Sequence, residues 1–343
     1  MRRDCAASQN ASVRSPTRAL ASGRNAGDRR PDSVHLRAQV AALTSECLSA
    51  ALLSSAPTST APAVSTANMP SLSDTLLGRA VEHEPTYSPD LLMPIARAGA
   101  RAALGLTTAL PFVGSDRWTG FELSWLQPGG KPQVAVLRAS VPADSPNLIE
   151  SKSFKLYLNS YARERLAGAA DVAQRIGADL AAAARAPVAV ELWLPDDWHQ
   201  LAPRSLPGVC IDELAIDIDH DGGLRCDALT ANASDPVAET LVSHLLKSNC
   251  PVTGQPDWAS VIIDYRGPAI DHAGLLRYLV SFRDLREFHE QCVERIFLDI
   301  TRRCAPQRLA VEARYTRRGG LDINPYRASA GAPVIDDRRT WRQ

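Results

Sequence analysis

The order of hydrophobic patterns repeats once along the chain, and that repetition narrows the folds open to it. Residues 118 to 126 (WTGFELSWL) and 132 to 141 (PQVAVLRASV) read as strands joined across QPGGK, whose Pro-Gly-Gly suits a hairpin. Residues 145 to 161 (SPNLIESKSFKLYLNSY) predict a helix, because Asn147 followed three residues later by Glu150 is a capping-box pattern. A second helix is expected over 171 to 186, where Val172, Ile176 and Leu180 recur every four residues. Strands return in PVAVELWLP and VCIDELAIDID. The second half follows the same course. ETLVSHLLKSN and WASVIIDYRG predict strands, 272 to 283 and 287 to 304 predict helices, and RLAVEARYTRRGG closes with a strand. The period is far too long for a solenoid. The economical architecture is α+β: two tandem units, each an antiparallel sheet whose apolar face is covered by two helices.

Composition agrees with two domains, since 343 residues with 45% apolar content can fill two cores. Thirty-eight basic residues balance thirty-eight acidic ones, so no global field favours nucleic acid or an anionic membrane over a small molecule. No apolar run approaches the ~18 to 20 residues that cross a bilayer. Residues 1 to 68 contain no aromatic residue and are rich in Ala, Ser, Thr and Pro, so they cannot build a core. They have the Arg- and Ser-rich cast of a transit peptide, but the favoured expectation is an extension outside the fold, with Met69 as the true start. The seven cysteines, at 5, 47, 210, 226, 250, 292 and 304, contain no C-x-x-C and no short Cys/His cluster. They predict reduced thiols of a cytoplasmic protein and no metal site.

Chemistry is concentrated in a few stretches. Cys250 ends a strand just before Pro251, a place where a thiol is exposed to a cleft more readily than inside a strand. Any single cysteine is more often buried filler, but here Lys247, His244 and Asp257 lie near enough in sequence to lower its pKa or handle its proton. Asp257 either satisfies turn amides or serves as a proton-transfer group beside the thiol. His289 and Glu290 fall in the first turns of a helix beginning near Leu285, which Asp284 and Glu287 would box. His289 shares the inward stripe of Val293, Ile296 and Ile300, and Glu290 flanks it. A carboxylate so placed needs partners, either a surface ion pair or a ligand with adjacent N–H donors such as the amidine edge of a guanine-like ring. Glu150 reads as a cap, whereas Ser151, Lys152 and Lys155 set a hydroxyl and two ammonium groups at a helix start that favours phosphates. Only four of the 38 basic residues are lysines, at 131, 152, 155 and 247, so three of them fall in these two segments. Arg314, Arg317 and Arg318 beside Gly319 offer another phosphate contact or a polar strand edge. No G-x-G-x-x-G follows a strand, so a Rossmann domain is not indicated.

Taken together, NLIESKSFKLYLNS, ETLVSHLLKSNCPVTGQPDW, LLRYLVSFR, EFHEQCVERIF and ARYTRRGGLDINPYR resemble the NADPH-dependent nitrile reductases of queuosine biosynthesis, the 7-cyano-7-deazaguanine reductases, in their longer two-module form. The resemblance covers roughly residues 72 to 343, and E-S-K-S-F-K is a specific signature of the family. It implies two tandem tunnelling-fold (T-fold) modules, 69 to 205 and 206 to 343, in a cytoplasmic homodimer that takes a small deazapurine, with no direct nucleic-acid or membrane partner. It implies that Cys250 adds to the nitrile carbon to form a thioimide, with Asp257 as proton donor. Two hydrides from NADPH would then give the aminomethyl base. Ile149, Glu150, Ser151, His289 and Glu290 would hold the base, and Ser151, Lys152, Arg318 and Gly319 would contact NADPH.

Two other readings compete. A purine or pterin hydrolase resembling GTP cyclohydrolase would use cysteine and histidine to bind zinc, but Cys250 lacks ligand-spaced partners. A base-binding module without turnover would bind the cyano base and leave NADPH unconsumed.

Overall fold

The computed structural model describes residues 86 to 343, apart from Thr108, 219 to 222, Pro333, Val334 and Asp336. The expected extension over 1 to 68, including Cys5 and Cys47, therefore lies outside the described residues.

Alternating apolar residues make β2 (Val113–Leu126) and β3 (Pro132–Pro142) a hairpin, as expected, with Trp118, Leu123, Trp125, Leu137 and Val141 turned into one core. Two helices cover that face, α2 (Ser151–Ser160) and α3 (Ala169–Ala184). In α3, Val172, Ile176, Leu180 and Ala184 are all fully buried, four residues apart on one stripe. Each large aliphatic side chain among them contributes roughly 1.5–3 kcal/mol of burial, so a charge at Ile176 would detach this helix. Strand β5 (Ala189–Trp193) joins the outer side of β3. Ahead of the hairpin, β1 (Pro94–Ala96) runs directly into α1 (Arg97–Ala103), and β1 pairs with β4 (Asn147–Ile149).

The second half builds its own core from β7 (Ala231–Asn249), β8 (Pro256–Ile270) and β9 (Arg308–Tyr315), under α4 (His272–Val280) and α5 (His289–Cys304). Along β8, Val261 and Ile263 face these helices while Ile262 packs into a small cluster with Val242, Tyr326 and Ile335. Burial on both faces explains why that strand reads as a continuous apolar run rather than an alternation.

The sheets of the two halves are not separate. Their strands form one eight-stranded sheet in the order β5-β3-β2-β10-β9-β8-β7-β6, antiparallel except where β6 (Val209–Cys210) runs parallel to β7. The junction is β10 (Leu321–Ala328), paired with β2 on one side and β9 on the other. Its Leu321 and Ile323 belong to the first core although its sequence belongs to the second half.

Three local expectations change. Asn147 lies in β4, and Glu150 itself is the N-cap of α2, accepting from the amides of Lys152 (2.8 Å) and Ser153 (2.7 Å). No side chain caps α5, which begins at His289, and Glu287 is drawn instead into an ion pair with Arg295. The strand expected over VCIDELAIDID is regular only at Val209–Cys210. There the carboxylate of Asp212 turns back to accept from the Ser243 hydroxyl (2.6 Å) and the His244 amide (2.8 Å), and the chain leaves the sheet.

Candidate active site

Strand β7 delivers Cys250 to a tight turn. The Cys250 amide donates to the Gln255 carbonyl (2.8 Å), and its carbonyl accepts from Gly254 (2.9 Å). Gly254 adopts φ +69°, which a side chain would strain. Asn249 ties the strand end to the segment between α4 and α5, donating through its amide to the Leu285 carbonyl and through its side chain to the Arg283 carbonyl (2.8 and 3.0 Å).

Cys250 is partly exposed, and its thiol is held below the ordinary cysteine value. Burial opposes the thiolate, as does the nearby charge of Asp257. The Thr253 hydroxyl and the backbone amides of Thr253 and Val252 outweigh both. The other described cysteines shift the opposite way: burial pushes Cys292 up to about 12, Cys226 and Cys304 up to about 11, and Cys210 upward as well. The groups that lower the Cys250 pKa are not those expected. Lys247 Nζ donates to the Arg283 carbonyl (2.5 Å), and the His244 ring meets Ser260 Oγ (2.8 Å), so neither serves the thiol. Thr253 and the amide of Val252 were missed, although a Pro-initiated turn that folds consecutive N–H groups back on the preceding residue is a recognisable anion-binding device.

Asp257 stands at the start of β8, opposite Ser248 of β7, and is buried. Arg318 (2.5 Å) and His289 Nε2 (3.3 Å) flank one of its oxygens. The His289 ring in turn packs against Tyr315, with centroids 4.0 Å apart. A guanidinium and an imidazole thus offset the desolvation of this carboxylate.

Glu290 is buried. Burial raises its pKa, the charge of Asp116 raises it further, and His289 and Arg97 act the other way. Among the described residues no other side chain hydrogen-bonds its carboxylate. Asp116 is itself one link in a buried chain that crosses between the halves. Arg101 binds Glu294 (2.7 Å), Glu294 binds Arg327 (3.0 Å), Arg327 binds Asp116 (2.8 Å), and Asp116 binds Arg97 (2.5 Å). Three guanidinium groups against two carboxylates leave one positive charge in excess. Burial and Asp116 favour the protonated form of Glu290 while His289 and Arg97 favour the carboxylate, and a buried carboxyl so placed is chemically suited to a ligand edge bearing N–H groups.

The remaining expected residues lie around the start of α2. Ile149 is buried and paired with Pro94, and the Glu150 amide donates to the Met93 carbonyl (3.0 Å). Because the Glu150 carboxylate caps the helix, it is already hydrogen-bonded by the chain's own amides. Ser151 Oγ is 3.4 Å from that carboxylate, and Lys152 is exposed. Gly319, at φ +60°, lies against Lys155, and a Cβ there would come within 3.0 Å of the lysine side chain. The turn after β9 and the start of α2 therefore abut, and Arg318 next to Gly319 reaches Asp257. Arg314 does not join them: it is buried between Glu312 (3.0 Å) and Asp337 (2.8 Å), and Arg317 stacks over Phe121. A concavity of about 310 Å³ lined by Arg225, Arg277, Ser281 and Leu285 includes none of the candidate residues.

Known proteins match this chain over most of its length. The family described as nitrile reductase, 7-cyano-7-deazaguanine-reductase N-terminal, matches residues 83–192, and the QueF-like protein family matches residues 256–333. The NADPH-dependent 7-cyano-7-deazaguanine reductase of Stenotrophomonas maltophilia (strain K279a) is 61% identical over 272 residues, which cover 79% of this chain and 97% of that protein. The enzyme of the same name from Burkholderia multivorans is 56% identical over 269 residues, covering 78% of this chain and 97% of its own.

Proposed function

We propose a reaction for this chain from one premise: it belongs to the 7-cyano-7-deazaguanine reductase family. It is an oxidoreductase that uses NADPH to reduce the nitrile of 7-cyano-7-deazaguanine. The product is the 7-aminomethyl base, destined for queuosine in tRNA. The single observation that carries the chemistry is Cys250, the one described thiol held below its ordinary pKa, within the field of the buried Asp257.

In this reading Cys250 attacks the nitrile carbon. The carbon–sulfur bond forms as one π bond of the nitrile breaks, while the Asp257 carboxylate takes the proton leaving the thiol and donates it to the nitrogen. The adduct is a thioimide, whose C=N carbon is more electrophilic than the nitrile. Arg318 and His289 position Asp257, while Glu290 and His289 hold the base edge together with the backbone of Ile149, Glu150 and Ser151. The start of α2, exposed Lys152, and the cradle between Gly319 and Lys155 suit a phosphate-bearing cofactor, with Ser151 and Arg318 alongside. Nitrile to primary amine is a four-electron reduction, so two NADPH would be consumed, each supplying one hydride, with the Cys250 sulfur leaving as the carbon–sulfur bond breaks between the two transfers. The two helix-covered halves are read as T-fold modules, 69 to 205 and 206 to 343, in a cytoplasmic homodimer. Among the described residues no helix is long and apolar enough to cross a membrane.

The test is intact mass spectrometry after mixing the protein with the cyano base and no NADPH. A covalent adduct should map to Cys250 and vanish in Cys250→Ala, and Asp257→Asn should slow its formation by about 10²-fold or more. Base bound without an adduct in the unaltered protein would refute the covalent route.

A further inference from the structure

Away from Cys250, the fold brings together a cysteine, an aspartate and a histidine that the sequence keeps up to 34 residues apart. Cys210 is the last residue of β6, Asp212 follows in the turn, and His244 lies on β7. One ligand atom from each lies within 4.8 Å of the others. We propose that Cys210, Asp212 and His244 bind a zinc ion, which clamps the 209 to 212 segment to the strand that carries Cys250.

The arrangement around the three side chains favours metal over an incidental cluster. His244 sits where β7 carries an extra residue: Ser243 faces Val261 and Leu246 faces Ala259, so His244 and Leu245 together oppose Ser260. Bulges re-aim side chains, and this one turns His244 toward the β6 end. Its Nδ1 meets the hydroxyl of buried Ser260 at 2.8 Å. In the tautomer whose Nδ1–H donates to that hydroxyl, the other ring nitrogen keeps its lone pair for a metal, the outer-sphere arrangement typical of ligating histidines. Asp212 is oriented likewise by the Ser243 hydroxyl and the His244 amide. Cys210 is fixed by β6–β7 pairing and by the following Ile211 amide, which donates to the Val242 carbonyl at 3.0 Å. Gly208 permits the close approach, since a Cβ there would fall 2.5 Å from the Thr240 carbonyl oxygen.

Zinc bonds of about 2.0–2.3 Å in tetrahedral geometry separate neighbouring ligands by about 3.3–3.7 Å, so closing the cluster takes at most about 1.5 Å of side-chain rotation. Thiolate, imidazole and carboxylate together select zinc over magnesium or calcium. Cys210 and His244 are exposed, which leaves a path for the ion and room for water as fourth ligand. The same three residues do not form a nucleophile triad, because His244 Nδ1 is engaged by Ser260 and not by Asp212.

The full chain is dialysed against Zn²⁺, then against metal-free buffer, and the metal is counted by elemental analysis. About one zinc per chain should remain in the unaltered protein and in Cys250→Ala, falling below about a tenth of that in Cys210→Ser and in His244→Ala. Cobalt titration should produce a sulfur-to-metal charge-transfer band that Cys210→Ser lacks and Cys250→Ala retains. No zinc retained by the unaltered protein overturns the proposal, as does zinc that survives both substitutions or is lost in Cys250→Ala alone.

Discussion

Two glutamates begin the helices that border the candidate site, and they live in opposite circumstances. Glu150 spends both carboxylate oxygens on the amides of its own helix, so its charge is solvated by the backbone. Glu290, in the first turn of α5, is just as near a helix N-terminus but buried, with Asp116 pushing its pKa up. One residue type therefore serves two purposes. Where two helix amides take both oxygens, the carboxylate stabilises the helix; where only the residue's own amide reaches it and burial raises its pKa, a ligand with N–H donors can add further partners. Affinity for such a ligand and stability of the free protein are then in opposition at Glu290, and not at Glu150.

Breaking the buried charge chain should have the largest effect. Arg327→Ala strands Asp116 and Glu294 without their shared guanidinium, and should cost about 3–5 kcal/mol in urea unfolding; a cost under about 1 kcal/mol would mean Asp116 is not held by that chain. Next, Glu290→Ala should weaken binding of the cyano base by about 2–4 kcal/mol, or ~30- to 1,000-fold in Kd by calorimetry. Unchanged affinity would remove Glu290 from the site.

A smaller effect concerns pH. The folded pKa of Glu290 is raised, so the native state binds the extra proton. Its favourable contribution is fully present below the unfolded carboxylate value and is lost as pH rises through the raised folded value. Glu290→Gln should abolish that decline and make the free protein more stable by about 1–2 kcal/mol at neutral pH, read from unfolding midpoints across the pH series. Smallest of all, Glu150→Ala should remove a cap worth about 1 kcal/mol. An equal pH-dependent gain at both positions would erase the distinction between them.

The helices and most strands were legible because each buries one face with a simple period: the four-residue stripe of α3 and the hairpin of β2 and β3 are examples. Strand β10 was not. Pro325 sits inside it and argues against a central strand, yet the fold tolerates it opposite Asp116, between β2 and β9. The cap of α2 was misassigned to Asn147 because side-chain pattern cannot tell a capping residue from a residue in the short β4 strand. At the site, Cys250, Asp257, His289 and Glu290 could be singled out from local neighbours and family resemblance. Their electrostatic partners could not, since Thr253 looks like an ordinary turn residue and Asp116, Arg97 and Arg327 come from distant segments.

By itself the sequence determined the class of most elements and the two helix-covered cores, and it singled out the candidate reactive residues, because hydrophobic period and short motifs act over a few residues of chain. Only the tertiary structure decided that the two halves share one sheet, that Lys247 and His244 turn away from Cys250, and that Glu290 is buried beside a chain of five alternating charges. Those outcomes depend on which groups meet across long stretches of sequence, and Coulomb and desolvation energies are set by distance in space.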